Sequence, residues 1–180
     1  IKPSRLVPFT ALDGNSYDVP FQINEKPIND VLQKAKEVHA TLRIHPLIWH
    51  EHFPAWFFYE DFDTSKAYVD QATMNARIEW YITSFVNAVR KWEKSGARGI
   101  KVVESWDVAS EIYIDNGKLR DKNSSAWSAI YKDESYVVLA YKIVAGLAKE
   151  DEKVKQAIEG MNVIKEIYVK GKLVNIVVKP

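Results

Sequence analysis

GIKVVESWDVASE, Gly99 to Glu111, is a dense β-branched run that ends in polar and acidic residues. Runs of this kind fill parallel strands that are covered on both faces. Before it, from about Val69 to Ser95, the apolar positions Met74, Ile78, Ile82, Phe85, Val89 and Trp92 recur every three or four residues, and Gly96 stands where a helix C-cap would. Upstream of that long helix, ATLRIHPLIW reads as a short strand stopped near Pro46. Strand, helix, strand predicts a right-handed crossover within a parallel sheet. A further helix precedes the first strand, because Ile28, Val31, Leu32, Ala35 and Val38 keep helical spacing and Pro27 suits a first turn.

Outward from this unit the pattern loosens. Residues 1–22, with their prolines and the turn cluster LDGNSYD, read as an irregular loop. IDNGKLRD is a turn-rich loop, and 127–131 and 135–147 read as further helices. The character then changes. KEDEKVKQAIEG is a charged amphipathic helix closed by Gly160, and NVIKEIYVKGKLVNIVVK alternates as two strands about a KGK turn.

Composition narrows the classes. With 25 Lys and Arg against 24 Asp and Glu among 180 residues, no global charge draws the chain to nucleic acid or to an anionic membrane. No cysteine is present, which excludes disulfides, thiolate metal sites and cysteine nucleophiles. No apolar run approaches the roughly 18 residues that span a bilayer, so no membrane partner is expected. The chain starts at Ile1 without a Met or a leader, which reads as a mature form or an excerpt of something longer. Six Trp and nine Tyr exceed what a core of this size needs, and such rings serve as platforms for sugars or bases as well as for packing.

Chemistry concentrates after the two strands. In α/β barrels the catalytic groups sit on loops beyond the C-terminal ends of the strands. His45, Trp49 and His50 end the first strand here, and WDVASE, Trp106 to Glu111, ends the second. A glutamate in that position lies at the rim of a cleft. Neighbouring aromatics would strip its water and raise its pKa, as a general acid requires. Glu111 is therefore the candidate catalytic residue.

These residues carry a resemblance. RIHPLIWHEHFPAWFF is similar to the third-strand segment of glycoside hydrolase family 10, the endo-β-1,4-xylanases, with its Arg-Gly-His-Thr-Leu-Val-Trp-His pattern followed by Pro-x-Trp. WDVASEIYIDNGKLRDKNSSAWSAIYKDESYVVLAYKIV resembles the fourth-strand acid/base segment, and IKPSRL resembles a Met-Lys-Pro segment after the second strand. The match spans about residues 1–144. It implies an α/β fold, a partial (β/α)8 TIM-barrel segment, with β-1,4-xylan or xylo-oligosaccharide as partner, no cofactor and a secreted location. It makes Glu111 the general acid/base, places His45 and Trp49 in the subsite beside the scissile bond, and puts Lys2 on the next sugar. His50 is then structural support, and His52, Trp56 and Trp127 pack or line the rim.

Two departures matter. The family has an asparagine before its acid/base glutamate, and Ser110 stands there, a shorter donor to the sugar 2-hydroxyl. A retaining mechanism also needs a second carboxylate about 5 to 5.5 Å from the first. The family's Thr-Glu-x-Asp segment is missing, Glu104 lies near the buried start of its strand, and Glu51 sits in a loop whose counterpart is not catalytic. A full barrel needs about 250 residues. The chain therefore reads as strands three and four of a retaining xylanase, catalytically incomplete.

LAKEDEKVKQAIEGMNVIKEIYVKGKLVNIVVK resembles the C-terminal end of bacterial leucyl-tRNA synthetases. That resemblance divides the chain into a barrel-like part, 1–145, and an α+β helix and hairpin tail, 146–180, with tRNA contact through Lys165, Lys170 and Lys172 as one implied role. A non-catalytic carbohydrate-binding fragment is the other alternative to hydrolysis. About 32 residues is below the size at which a core sustains itself. Amides of 163–178 should therefore exchange with solvent faster than those of 100–108. Equal protection would mean one cooperative core.

Overall fold

The computed structural model describes residues 2–95, 101–169 and 173–179. The Gly96 cap, the KGK turn and residues Lys170 and Lys172 lie outside them. In chain order the elements are β1 (Leu6–Thr10), β2 (Ser16–Pro20), α1 (Glu25–Glu37), β3 (Leu42–Ile44), two 3-10 turns (Ala55–Phe58 and Glu60–Phe62), α2 (Gln71–Ser95), β4 (Val103–Trp106), α3 (Ala126–Tyr131), α4 (Ser135–Lys149), α5 (Glu152–Ile158), β5 (Asn162–Val169) and β6 (Leu173–Lys179).

The proline-bearing N-terminal segment is a strand pair, not the irregular loop its composition suggests. β1 and β2 run antiparallel, with Val7 opposite Val19 and Phe9 opposite Tyr17. That register turns Val7, Phe9 and Val19 toward the main core and leaves Leu6, Pro8 and Thr10 outside. Pro8 is tolerated because the pair forms a two-stranded sheet, where a missing N–H can face solvent. Gly14 takes the positive φ of the connecting turn (82°). The Glu79 carboxylate of α2 accepts from the Leu12 amide at 2.8 Å and ties the turn down.

α1 begins at the Asn24 N-cap, whose side chain accepts from the Lys26 amide. Its Leu32 and Ala35 pack with Val89 of α2 and with Val102 and Val103 in a small core of their own. The crossover unit is present: β3 and β4 pair in parallel, with α2 between them in the chain. Met74, Ile78, Ile82 and Val89 of α2 are at most 1% exposed, as their spacing predicts. The expectation that β4 is covered on both faces fails, since Glu104 and Ser105 are exposed and Glu104 accepts from the Thr41 hydroxyl. The reason is architectural. The described strands form three separate two-stranded sheets, and no closed barrel surrounds β4.

The irregular stretch between β3 and α2 is held by one buried cation. Arg77 of α2, 3% exposed, donates to the Phe57 carbonyl at 2.6 Å and the Tyr59 carbonyl at 2.9 Å, and its guanidinium lies 3.8 Å over the Phe62 ring. Asp61 and Phe62 have positive φ (49° and 56°), and the Tyr59 carbonyl takes the Phe62 amide at 3.1 Å as well as Arg77. Burial pushes the Arg77 guanidinium down to about 10, and it stays charged at neutral pH.

The tail forms as the alternation predicts, with β5 antiparallel to β6. A boundary between 145 and 146 falls inside α4, where Ala145 and Leu147 are both buried. α5 half-buries Val154 and Ile158, while Val163 and Ile164 remain exposed at 42% and 60%. A register shift between Val163 and Lys165 interrupts the alternation that would have turned one of them inward.

An aromatic core joins the remaining helices to the loops. Trp127, 1% exposed, stacks on Tyr136 (5.6 Å, 6°), meets Phe53 and Phe58 edge-on, and donates its indole N–H to the Trp49 carbonyl at 2.7 Å. Trp127→Phe should cost about 2 to 3 kcal/mol in urea unfolding, because it leaves that carbonyl unpaired and the ring site underfilled. A loss under about 1 kcal/mol would mean that water replaces the indole. Burial pushes the phenols of Tyr81 and Tyr136 up to about 12 and that of Tyr131 further up. A group raised in the folded state stabilises fully below its unfolded value near 10, and that stability is lost as pH rises through about 12. Absorbance at 295 nm should show these three ionising only with alkaline unfolding. Early ionisation of all nine would contradict their burial.

Candidate functional site

The site begins with backbone pairing that outlasts the strands. Leu42 lies beside Val103, Arg43 beside Ser105 and Ile44 beside Trp106, with a register shift after the first pair. Past the strand ends the Asp107 amide donates to the Ile44 carbonyl (2.8 Å), Leu47 to Asp107 (2.9 Å), Ile48 to Val108 (2.9 Å) and Ser110 to Ile48 (3.0 Å). Leu47 and Ile48 are fully buried and Val108 nearly so, which fixes this continuation by packing. Trp49 and His50 therefore emerge beside Ser110 and Glu111 at the C-terminal end of the parallel pair.

Glu111 takes φ 50°, a left-handed conformation uncommon for a non-glycine residue. Its Oε2 accepts from the Trp49 indole at 3.2 Å, lies 3.5 Å from the Arg120 guanidinium, and is 3.9 Å from His50 Nδ1. The side chain is 55% exposed. The water-stripped pocket expected around it is not built by these residues. Trp49 covers one side only.

His45 is held from beneath. Its Nδ1 lies 2.7 Å from Asp107 Oδ2, and since a carboxylate only accepts, this nitrogen donates. Arg43 grips the same carboxylate as a fork, with Nε at 2.8 Å and a terminal nitrogen at 2.6 Å. These bonds, Arg43 first and then His45, hold the Asp107 carboxyl below the usual carboxylate range. Asp107 and Arg43 were not among the sequence candidates. Opposite charges at the facing ends of two paired strands were the available signal.

The other candidates divide. Ser110 is half-buried beside Glu111, with its amide spent on Ile48. His50 is 10% exposed in its side chain and lies 3.5 Å from Glu51. His52, at φ 62°, is exposed against the Trp49 ring at 4.9 Å, a rim position. Trp56 packs on Phe57 and Phe62. Lys2 is not brought into this group: its ion pair is with Asp63, 3.7 Å away beside the second 3-10 turn. Arg120 was missed because its partner lies nine residues back, across a loop whose path the residue types do not fix.

Among the described residues no group of three or more His, Asp or Glu could hold a metal ion, and no helix is long and apolar enough to cross a membrane. In the tail, Lys165 is exposed.

The pattern of Glycosyl hydrolase family 10 matches residues 14–179, which includes most of the tail. A Caldicellulosiruptor saccharolyticus protein described as an endo-1,4-beta-xylanase is 39% identical over 120 residues, 67% of this chain and 36% of that protein, so the chain spans little more than a third of that relative. A leucine–tRNA ligase of Geotalea daltonii is 51% identical over 63 residues, 35% of this chain and 6% of the ligase. Among solved structures, the intracellular xylanase of Thermoanaerobacterium saccharolyticum superposes with a TM-score of 0.59 at 25% identity, covering 76% of this chain and 38% of that one. A matched pattern over most of its length places the chain: it belongs to glycosyl hydrolase family 10, a TIM-barrel family, of which the described residues form an open segment.

Proposed function

We propose that this chain carries the acid/base half of a retaining endo-1,4-β-xylanase centre, in which Glu111 protonates the leaving glycosidic oxygen of β-1,4-xylan and then activates water. The observation that carries this reading is the Trp49 indole on the Glu111 carboxylate at 3.2 Å, at the C-terminal ends of paired parallel strands. The xylanase names borne by relatives support the substrate class. His45, tethered by Asp107, offers Nε2 to a sugar hydroxyl, and Trp49 offers its face. Ser110 supplies the hydroxyl where the family has an amide. A sugar contact by Lys2 would require it to leave Asp63. Secretion goes with a polymeric substrate, and recovery from culture medium tests it.

The described partners of the Glu111 carboxylate are Trp49, His50 and Arg120, none of them a carboxylate. A covalent glycosyl intermediate needs one about 5 to 5.5 Å away. This favours a second reading, a carbohydrate-binding segment whose Trp49 and His52 rim meets sugar without cleaving it. tRNA contact through the tail gains nothing from these contacts.

The chain by itself should hydrolyse xylan negligibly. Turnover within the usual enzyme range of about 1 to 1000 per second would mean that another carboxylate serves. With the remaining barrel strands supplied, Glu111→Gln should abolish cleavage of unactivated xylo-oligosaccharides and spare the first-turnover release of phenolate from aryl xylosides, which needs no proton, while the water step that follows is slowed. Equal loss on both would make Glu111 structural.

A further inference from the structure

We propose that Arg120 is the positioning residue for Glu111, gripping its backbone and its carboxylate with one guanidinium. This rests on the reading of Glu111 as the acid/base.

A non-glycine residue at φ 50° costs about 1 kcal/mol or more and persists only where its surroundings hold it. The loop after Glu111 supplies the hold. The Ile114 amide donates to the Lys118 carbonyl (2.9 Å), the Gly117 amide to Ile114 (2.9 Å), and Gly117 takes the φ of 76° that the turn requires. Tyr113 then pairs with Leu119 in antiparallel fashion, and the Arg120 amide donates to the Ile112 carbonyl at 3.1 Å. What reads as a turn-rich loop is a small hairpin that carries Arg120 back onto the residue where the loop began.

Arg120 arrives with both arms engaged. Its Nε donates to the Glu111 carbonyl at 2.7 Å, and a terminal nitrogen lies 3.5 Å from Oε2. The Arg120 side chain is 20% exposed against 55% for Glu111, so the cation is the fixed partner and the carboxylate the presented one. Trp49 approaches the same Oε2 from the β3 side. Both contacts fall on one oxygen, which leaves Oε1 to carry the proton to the leaving group. The fork geometry matters. A lysine could neutralise the carboxylate but could not hold the carbonyl in the same plane. The other titratable groups facing Glu111 are His50, whose Nδ1 is 3.9 Å away without a hydrogen-bond partner, and Glu51 on the far side of that ring.

The test is amide and indole NMR on the full chain with nitrogen-15 label, the Glu111 amide and the Trp49 indole N–H being assigned through Glu111→Gln and Trp49→Phe. Arg120→Met should move both signals. Arg120→Lys should leave the Glu111 amide displaced, because the fork on the carbonyl is lost. Indole and amide both unmoved in Arg120→Met would make Arg120 an ordinary surface residue. If the Met variant does not fold, the Lys variant decides: a displaced Glu111 amide supports the grip, and an unmoved one overturns it. None of these signals uses xylan, so failure of the leaving-group test on Glu111 would leave this result standing, and the reverse also holds.

Discussion

Everything functional in this chain hangs on the parallel pairing of β3 with β4 and on its continuation past the strand ends. The two strands are short, three and four residues, and a parallel pair of that length has little stability of its own. The four amide bonds from Asp107 to Ser110 extend it, and the fully buried Leu47 and Ile48 make the extension a packed feature. Only because the pairing runs that far do Trp49 and Glu111, 62 residues apart in sequence, meet at 3.2 Å.

The pair is braced on both sides by buried polar contacts to backbone. Arg77 satisfies the carbonyls of the 3-10 turns, and the Trp127 indole satisfies that of Trp49. Glu93 of α2 accepts from the amides of Val102 and Val103, each at 2.8 Å, and fastens the start of β4 to the helix. These contacts serve backbone groups in or beside irregular chain, where an unpaired group would cost most. The aromatic excess in the composition belongs largely here, in rings packed around Trp127, with Trp49 and His52 at the rim.

Charge is arranged in two layers beneath the site. Asp107 is fully engaged by Arg43 and His45, and so acts as an anchor with a fixed charge. Glu111 is open to solvent and held by Arg120 and Trp49, and so can be offered to a ligand. The same pairing of a closed carboxylate and an open one separates a supporting role from a reacting one on neighbouring loops.

The sequence by itself determined the helices, the order of strand, long helix and strand, and the clustering of His45, Trp49, Ser110 and Glu111 after the two strands. Those follow from local periodicity and from motif spacing, which a chain carries along its length. Tertiary structure decided the rest. The β1–β2 pair depended on a register that turns Val7, Phe9 and Val19 inward, which proline content concealed. The exposure of Glu104 depended on what covers β4, and no property of Glu104 records its neighbours. The bonds of Arg43 to Asp107 and of Arg120 to Glu111, like the placement of Lys2 beside Asp63, join residues whose separation is set by loop paths. Local pattern fixes which face a side chain takes; only the folded chain fixes which side chain it meets there.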